Sequence, residues 1–164
     1  MIFFLIAIAS VLLDQASKWI VLHHVSPGPV FGDWVRITIT HNTGAAFGLL
    51  PGARAPFIVI SVVAAVGLIW AHYLLPPSDR ARRVPMALIL GGNLGNLVDR
   101  IRLGAVTDFI DVGVGSLRWP TFNVADIAVV VGALTLAGRL VYEMMEERRA
   151  PAHGVAEGDP VDMG

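Results

Sequence analysis

Cysteine is absent from the 164 residues. Its absence excludes disulfides, thiolate nucleophiles and cysteine metal sites. Charge is sparse as well: Asp, Glu, Lys and Arg make up 15% of the chain, against about 25% in a soluble globular domain. Hydrophobic residues take 55% and mean hydropathy is +0.67, a balance that belongs in a membrane. The formal net charge of −1 gives no basic field, which excludes nucleic acid as a partner. His23, His24, His41, His72 and His153 do not fall into a ligand spacing such as His-Glu-x-x-His. Ser17 and Lys18 are adjacent and would diverge on a helix, which disfavours a Ser/Lys dyad. No nucleophile elbow, phosphate loop or internal repeat is present. Neither a metal nor a cofactor is expected.

What is present is apolar length. A spanning helix needs about 20 mostly apolar residues, and four stretches qualify as candidates: about 2–22, 56–75, 84–98 and 124–142. The third is shorter and carries Gly91, Gly92 and Gly95, which permit close helix contact. The N-terminus lacks a basic n-region and runs into Asp14, Lys18 and Trp19 rather than a small-residue cleavage site. It therefore reads as a retained first helix rather than a signal peptide. Arg80, Arg82 and Arg83 in the loop between the second and third helices place that loop in the cytoplasm, with both termini. Arg36, Arg54, Arg100, Arg102 and Arg118 fall on the outer side and run against that rule.

The outer loops carry strand signals. Trp34 to Thr40 alternates and is β-branched, and 44–48, 106–112 and 117–119 are further extended candidates. The expected fold is an α-helical integral membrane protein with four transmembrane helices and a small extracytoplasmic β-sheet platform. Residues 1–146 would form one domain, and the polar, Gly- and Pro-containing 147–164 a disordered cytoplasmic tail.

Carboxylates at a membrane edge are costly and so mark candidate sites. Asn96, Asp99 and Arg100 are spaced i, i+3, i+4, which suggests one helix face, with Asp99 paired to an arginine as the plain structural reading. Asn123 and Asp126 have capping-box spacing, and a capped carboxylate is also a fixed one. Asp108 and Asp111 lie three apart in an extended stretch and point to opposite faces, so at most one shares a site with Asp126. Spacing does not choose between them. Asp14 and Lys18 suit an intrahelical ion pair or a headgroup contact. Asn42 and Gly44 suit a turn or a binding loop. Two carboxylates brought together would make an acid/base pair able to activate water.

At these residues the chain resembles signal peptidase II, the lipoprotein signal peptidase of bacteria. The resemblance runs from about Asp14 to Glu143 through five motifs in order. They are Asp14-Gln15-x-x-Lys18, Asn42 to Phe47, Gly91-Gly92-x-x-Gly95-Asn96-x-x-Asp99-Arg100, Val106-x-Asp108-Phe109 and Phe122-Asn123-x-Ala125-Asp126. It implies a membrane aspartyl endopeptidase of the bacterial inner membrane, with its site near the extracytoplasmic face. Such an enzyme cuts diacylglyceryl-modified prolipoproteins before the lipidated cysteine. The resemblance makes Asp108 and Asp126 the catalytic pair, and thereby selects Asp108 over Asp111. Asp14, Lys18, Asn42, Asn96, Asp99, Arg100 and Asn123 match further motif residues, and Asn93 stands where the family often has a small residue. A monomer in contact with membrane lipids is expected. The rival readings are a proton carrier built on Asp14, Asp99 and Asp126, and a non-catalytic scaffold associating through the α-helical glycines.

Overall fold

The computed structural model describes residues 1–44 and 54–149. Four long helices and four short strands follow in the order α1 (Ile2–His24), β1 (Gly28–Phe31), β2 (Val35–Asn42), α2 (Arg54–Leu74), α3 (Arg80–Leu103), β3 (Val106–Val114), β4 (Leu117–Arg118) and α4 (Val124–Arg149). Three of the helices, α1, α2 and α4, are long and apolar enough to cross a membrane. The expected third span, α3, does not meet that criterion. Arginines at both of its ends and Asn93, Asn96 and Asp99 between them lower its hydropathy. Buried residues along α3 turn that polarity inward, against the other helices.

Local signals set the helix ends. Pro27 follows soon after α1, where Val25 is already extended. Pro76 and Pro77 follow α2. Asp79 caps α3 by accepting from the Arg82 N–H at 3.1 Å, so the helix takes in Arg80–Arg83 and starts earlier than the expected residue 84. Gly104 ends it at φ +78°, a left-handed conformation that suits glycine, with its N–H donating to the Arg100 carbonyl. Helix α4 continues beyond Tyr142 to Arg149. Residues 147–149, expected in the tail, are therefore helical. The rest of the proposed tail, 150–164, and the strand candidate at 45–48 lie outside the described residues.

Helix α3 packs against α1, α2 and α4. Phe3 and Ala7 of α1, Ala65 of α2, and Met86, Ala87 and Leu90 of α3 form the shared core. Close approach depends on small residues. A Cβ on Gly91 would lie 2.5 Å from the Ser10 Cβ, and one on Gly95 would lie 2.7 Å from an Asp14 carboxylate oxygen. Across the other face, a Cβ on Gly132 of α4 would lie 2.6 Å from the Pro85 carbonyl. Asn93 donates to the Ser61 carbonyl at 2.8 Å, a polar contact between α3 and α2. Large apolar side chains such as Leu13, Val63, Trp70 and Leu134 face outward, where hydrocarbon rather than water suits them.

The strands form one antiparallel sheet in the order β1-β2-β3-β4. Strands β2 and β3 correspond to extended segments read from the sequence. Strand β1 escaped that reading because Gly28 and Pro29 suppress a strand signal; it lies at the sheet edge, where proline is tolerated. Register between β2 and β3 shifts between Ile37 and Thr40, so that Thr40 comes opposite Asp108. Phe122, just before α4, bridges to Ile110 of β3. That bridge ties the start of α4 to the strand that carries Asp108.

Candidate active site

Asp126 sits in the first turn of α4 and is fixed by a reciprocal capping box. Its N–H donates to Asn123 Oδ1 at 2.9 Å, and the Asn123 N–H donates to Asp126 Oδ2 at 3.1 Å. The remaining oxygen, Oδ1, accepts from Asn96 Nδ2 of α3 at 2.8 Å. The capping role therefore leaves Asp126 with one oxygen turned to a second partner.

Asp108 lies on β3 and is 2% exposed. Its Oδ1 accepts from Asn123 Nδ2 at 2.7 Å and its Oδ2 from Asn42 Nδ2 at 3.2 Å. Asn42 Oδ1 meanwhile accepts the Gly44 N–H at 3.0 Å, so turn and site share one side chain. Asn123, fully buried, touches both carboxyl groups and also donates to Asn96 Oδ1 at 3.1 Å. Asp108 and Asp126 both line one cavity of about 540 Å³, with Asn42, Asn96, Arg100 and Thr121 among the other polar lining residues. Burial first, then the charge of Asp126, pushes the Asp108 carboxyl up to about 6, against hydrogen bonds from Asn42 and Asn123 that favour its ionised form.

Strand alternation separates Asp111 from this cavity. Arg118 Nε donates to its Oδ1 at 2.8 Å and Thr38 Oγ1 to its Oδ2 at 3.0 Å. The hydrogen bond from Arg118 holds the Asp111 carboxyl below the usual carboxylate range.

A second acidic cluster lies beside the first. Lys18 Nζ is 2.8 Å from Asp14 Oδ2 and 2.7 Å from Asp99 Oδ2, with all three residues buried. Asp14 Oδ1 accepts the Ala125 N–H at 3.0 Å, at the N-terminus of α4. Asp99 Oδ2 accepts the Thr107 N–H at 3.1 Å and so braces the start of β3. The expected pairing of Asp99 with an arginine is corrected here: its cation is Lys18. Asn96, Asp99 and Arg100 do share one helix face, with Asn96 between the other two and Lys18 Nζ reaching both Asn96 and Asp99. Successive residues turn by about 100° on a helix, so Asn96 and Arg100 reach the cavity while Asp99 turns to α1. Arg100 lies over the Phe57 ring at 5.3 Å. Lys18 Nζ also reaches Asn96 Oδ1 at 3.3 Å, which links the two clusters.

A family model for signal peptidase (SPase) II matches residues 6–142. The chain belongs to the signal peptidase II family. The lipoprotein signal peptidase of Moorella thermoacetica is 40% identical over 152 residues, spanning 91% of this chain and 99% of its own length. That of Syntrophus aciditrophicus is 42% identical over 157 residues, spanning 90% and 97% respectively. A solved bacterial membrane enzyme superposes with a TM-score of 0.77 at 26% identity, covering 94% of each chain. The chain is thus a peptidase-family membrane protein with several apolar helices.

In this signal peptidase II chain the residues around the two clusters include Gln15, which the sequence offers only as part of the Asp14-Gln15-x-x-Lys18 motif, and two threonines that it does not single out as site residues. Gln15 Nε2 donates to Asp99 Oδ1 at 2.9 Å and to the Gly95 carbonyl at 3.2 Å. Its place beside Asp14, one position round an apolar helix, was the available signal. Thr40 and Thr121 join their hydroxyls at 2.7 Å. Nothing in their spacing announces that contact, because it depends on the bulge in β2. Among the described residues no group of His, Asp and Glu is arranged to hold a metal ion.

Proposed function

We propose that this chain is a membrane aspartyl endopeptidase that removes the signal peptide from diacylglyceryl-modified prolipoproteins, cutting before the lipidated cysteine. The observation that carries the reading is the shared cavity: Asp108 and Asp126 both line it, and Asn123 bonds to both. The family membership supports the substrate class.

Two close carboxyl groups do not both ionise cheaply, so the pair retains one proton. The raised pKa of Asp108 keeps that proton available near neutral pH, and the titration belongs to the pair. The ionised carboxylate takes a proton from water as the water attacks the scissile carbonyl. The protonated partner polarises the carbonyl oxygen and then supplies a proton to the leaving amine. Asn42, Asn96 and Asn123 hold the two groups in place through amide hydrogen bonds. Asp14, Lys18 and Asp99 support the site from behind, and Arg100 stands on the cavity wall, where it can meet a polar part of the substrate.

In this reading α3 is the fourth span, shielded from lipid by α1, α2 and α4. At 24 residues it is about 36 Å long, enough to cross. Arg80, Arg82 and Arg83 lie at one end of it and Asn96 and Arg100 towards the other. The first end faces the cytoplasm with both termini, and the site faces outward. The protein works as a monomeric domain of residues 1–146 in the bacterial inner membrane, its outward apolar faces against lipid, with the sheet over the outer helix ends.

The direct test is cleavage of a diacylglyceryl prolipoprotein by Asp108→Asn and Asp126→Asn. Each should lose cleavage while still inserting and folding; normal turnover by either would overturn the pair.

A further inference from the structure

We propose that Thr121 is a substrate-binding residue whose hydroxyl donates to a main-chain carbonyl of the extended substrate beside the two aspartates; this rests on the peptidase reading above. Three observations converge on it. First, Thr121 lines the same cavity as Asp108 and Asp126. The neighbouring amides of Asn42 and Asn96 are already engaged with those carboxyl groups at 3.2 and 2.8 Å. Second, the side-chain contact of Thr121 is the Thr40 hydroxyl at 2.7 Å. Two hydroxyls carry two protons and need only one to join them. The spare proton has the Asp108 carbonyl as an alternative, at a long 3.4 Å from Thr40 Oγ1. When Thr40 instead donates to Thr121, the Thr121 proton is released to the cavity.

Third, the main chain around Thr121 is held on one side and open on the other. Phe122 donates its N–H to the Ile110 carbonyl at 3.1 Å and accepts from the N–H groups of Phe109 and Ile110 at 3.0 and 2.8 Å. The main-chain N–H and C=O of Thr121 have no partner among the described residues, and Pro120 before it has no N–H at all. A wall residue with a donor hydroxyl and an unengaged main-chain pair, next to a strand, is suited to an extended peptide. Thr40 acts through Thr121 and is a positioning residue: its place opposite Asp108 in the register sets where the Thr121 hydroxyl points.

The test uses the full chain in detergent micelles with a synthetic peptide that carries diacylglyceryl-cysteine and spans the cleavage site. Thr121→Val, nearly isosteric, should raise KM about fivefold, the effect of one neutral hydrogen bond, with a smaller change in kcat. Thr121→Ser should restore KM. In the Asp108→Asn background, direct binding of the same peptide should weaken by the same factor on adding Thr121→Val. Thr40→Val should raise KM in the wild type and add nothing in the Thr121→Val background. Unchanged KM and unchanged peptide binding in Thr121→Val overturn the proposal, and so does failure of serine to restore KM, which would make the methyl group the important part. If Asp108→Asn and Asp126→Asn turn over normally, the peptidase reading falls first. If they are dead while Thr121→Val binds normally, only the Thr121 assignment falls.

Discussion

Carboxyl groups enter the apolar part of this chain in two neighbouring clusters, and the clusters are compensated by different chemistry. Asp14 and Asp99 share a buried ammonium, Lys18, at 2.8 and 2.7 Å. Asp108 and Asp126 take their hydrogen bonds from amides, of Asn42, Asn96 and Asn123, while Arg100 on the cavity wall and Lys18 act on the pair only through space. A cation offsets the charge of the carboxylates it touches. An amide donates a hydrogen bond without cancelling charge, so two carboxyl groups held that way still repel each other. The first arrangement makes a brace between α1, α3 and β3. The second, on the proposed peptidase reading, holds the exchangeable proton, and it is the second that opens on the cavity.

That contrast is broken most directly by isosteric neutralisation. Asp126→Asn keeps an oxygen for the Asn123 N–H but ends the pair's acid/base chemistry. Cleavage should fall by at least about 10³-fold with thermal unfolding in detergent close to wild type. Lys18→Met attacks the other cluster. It strands two buried carboxylates, a change expected to cost about 3–5 kcal/mol, so the variant should unfold at markedly lower temperature. A Lys18→Met protein that is as stable as wild type but inactive would erase the distinction between brace and reactive pair.

Much of this division was legible in the sequence, and the remainder has identifiable causes. The capping box of Asn123 and Asp126 and the ion pair of Asp14 and Lys18 are local, set by i, i+3 and i, i+4 spacing, and both are present. The Asp99 partner was misread because helix spacing places Arg100 near it in sequence while rotation carries the two side chains apart. The cation that meets Asp99 comes from α1, 81 positions earlier, and only the close approach at Gly91 and Gly95 brings it there. The alternation of Asp108 and Asp111 follows from strand period alone, but which of them faces α4 depends on the side of the sheet to which Phe122 and Asn123 attach. Resemblance supplied that choice; spacing did not. The β1 strand and the Thr40–Thr121 contact depend on edge position and a bulge, which are properties of the assembled sheet.

Titration sharpens the comparison further. If the cleaving form needs the proton on the pair, kcat/KM should decline as pH rises through the region near 6, where Asp108 loses it. The hydrogen bond from Asn42 favours the ionised form of Asp108. Asn42→Ala removes it and should therefore raise the pKa, moving the alkaline limb to higher pH by roughly half to one unit. The amplitude will also fall, because Asn42 accepts the Gly44 N–H, so the position of the limb is the decisive reading. A limb that stays in place, or moves to lower pH, would remove Asp108 from the titrating pair.

The smallest effect is expected at Asp111, three residues from Asp108 yet compensated by a cation like the inner cluster. Asp111→Asn should keep cleavage within about twofold, since the side chain bonds to Arg118 and Thr38 away from the cavity. Its cost in stability at neutral pH should be well below that of Lys18→Met, because the asparagine oxygen can still accept from Arg118. The sign with pH follows from its lowered pKa. Stability from a carboxyl group whose folded pKa is depressed is fully present above the unfolded range, near pH 4, and is lost as pH falls through the folded value. The gap between Asp111→Asn and wild type, measured by unfolding midpoint, should therefore narrow below about pH 4. Loss of cleavage in Asp111→Asn as deep as that in Asp126→Asn would show that compensation by a cation does not separate supporting from reactive carboxylates in this chain.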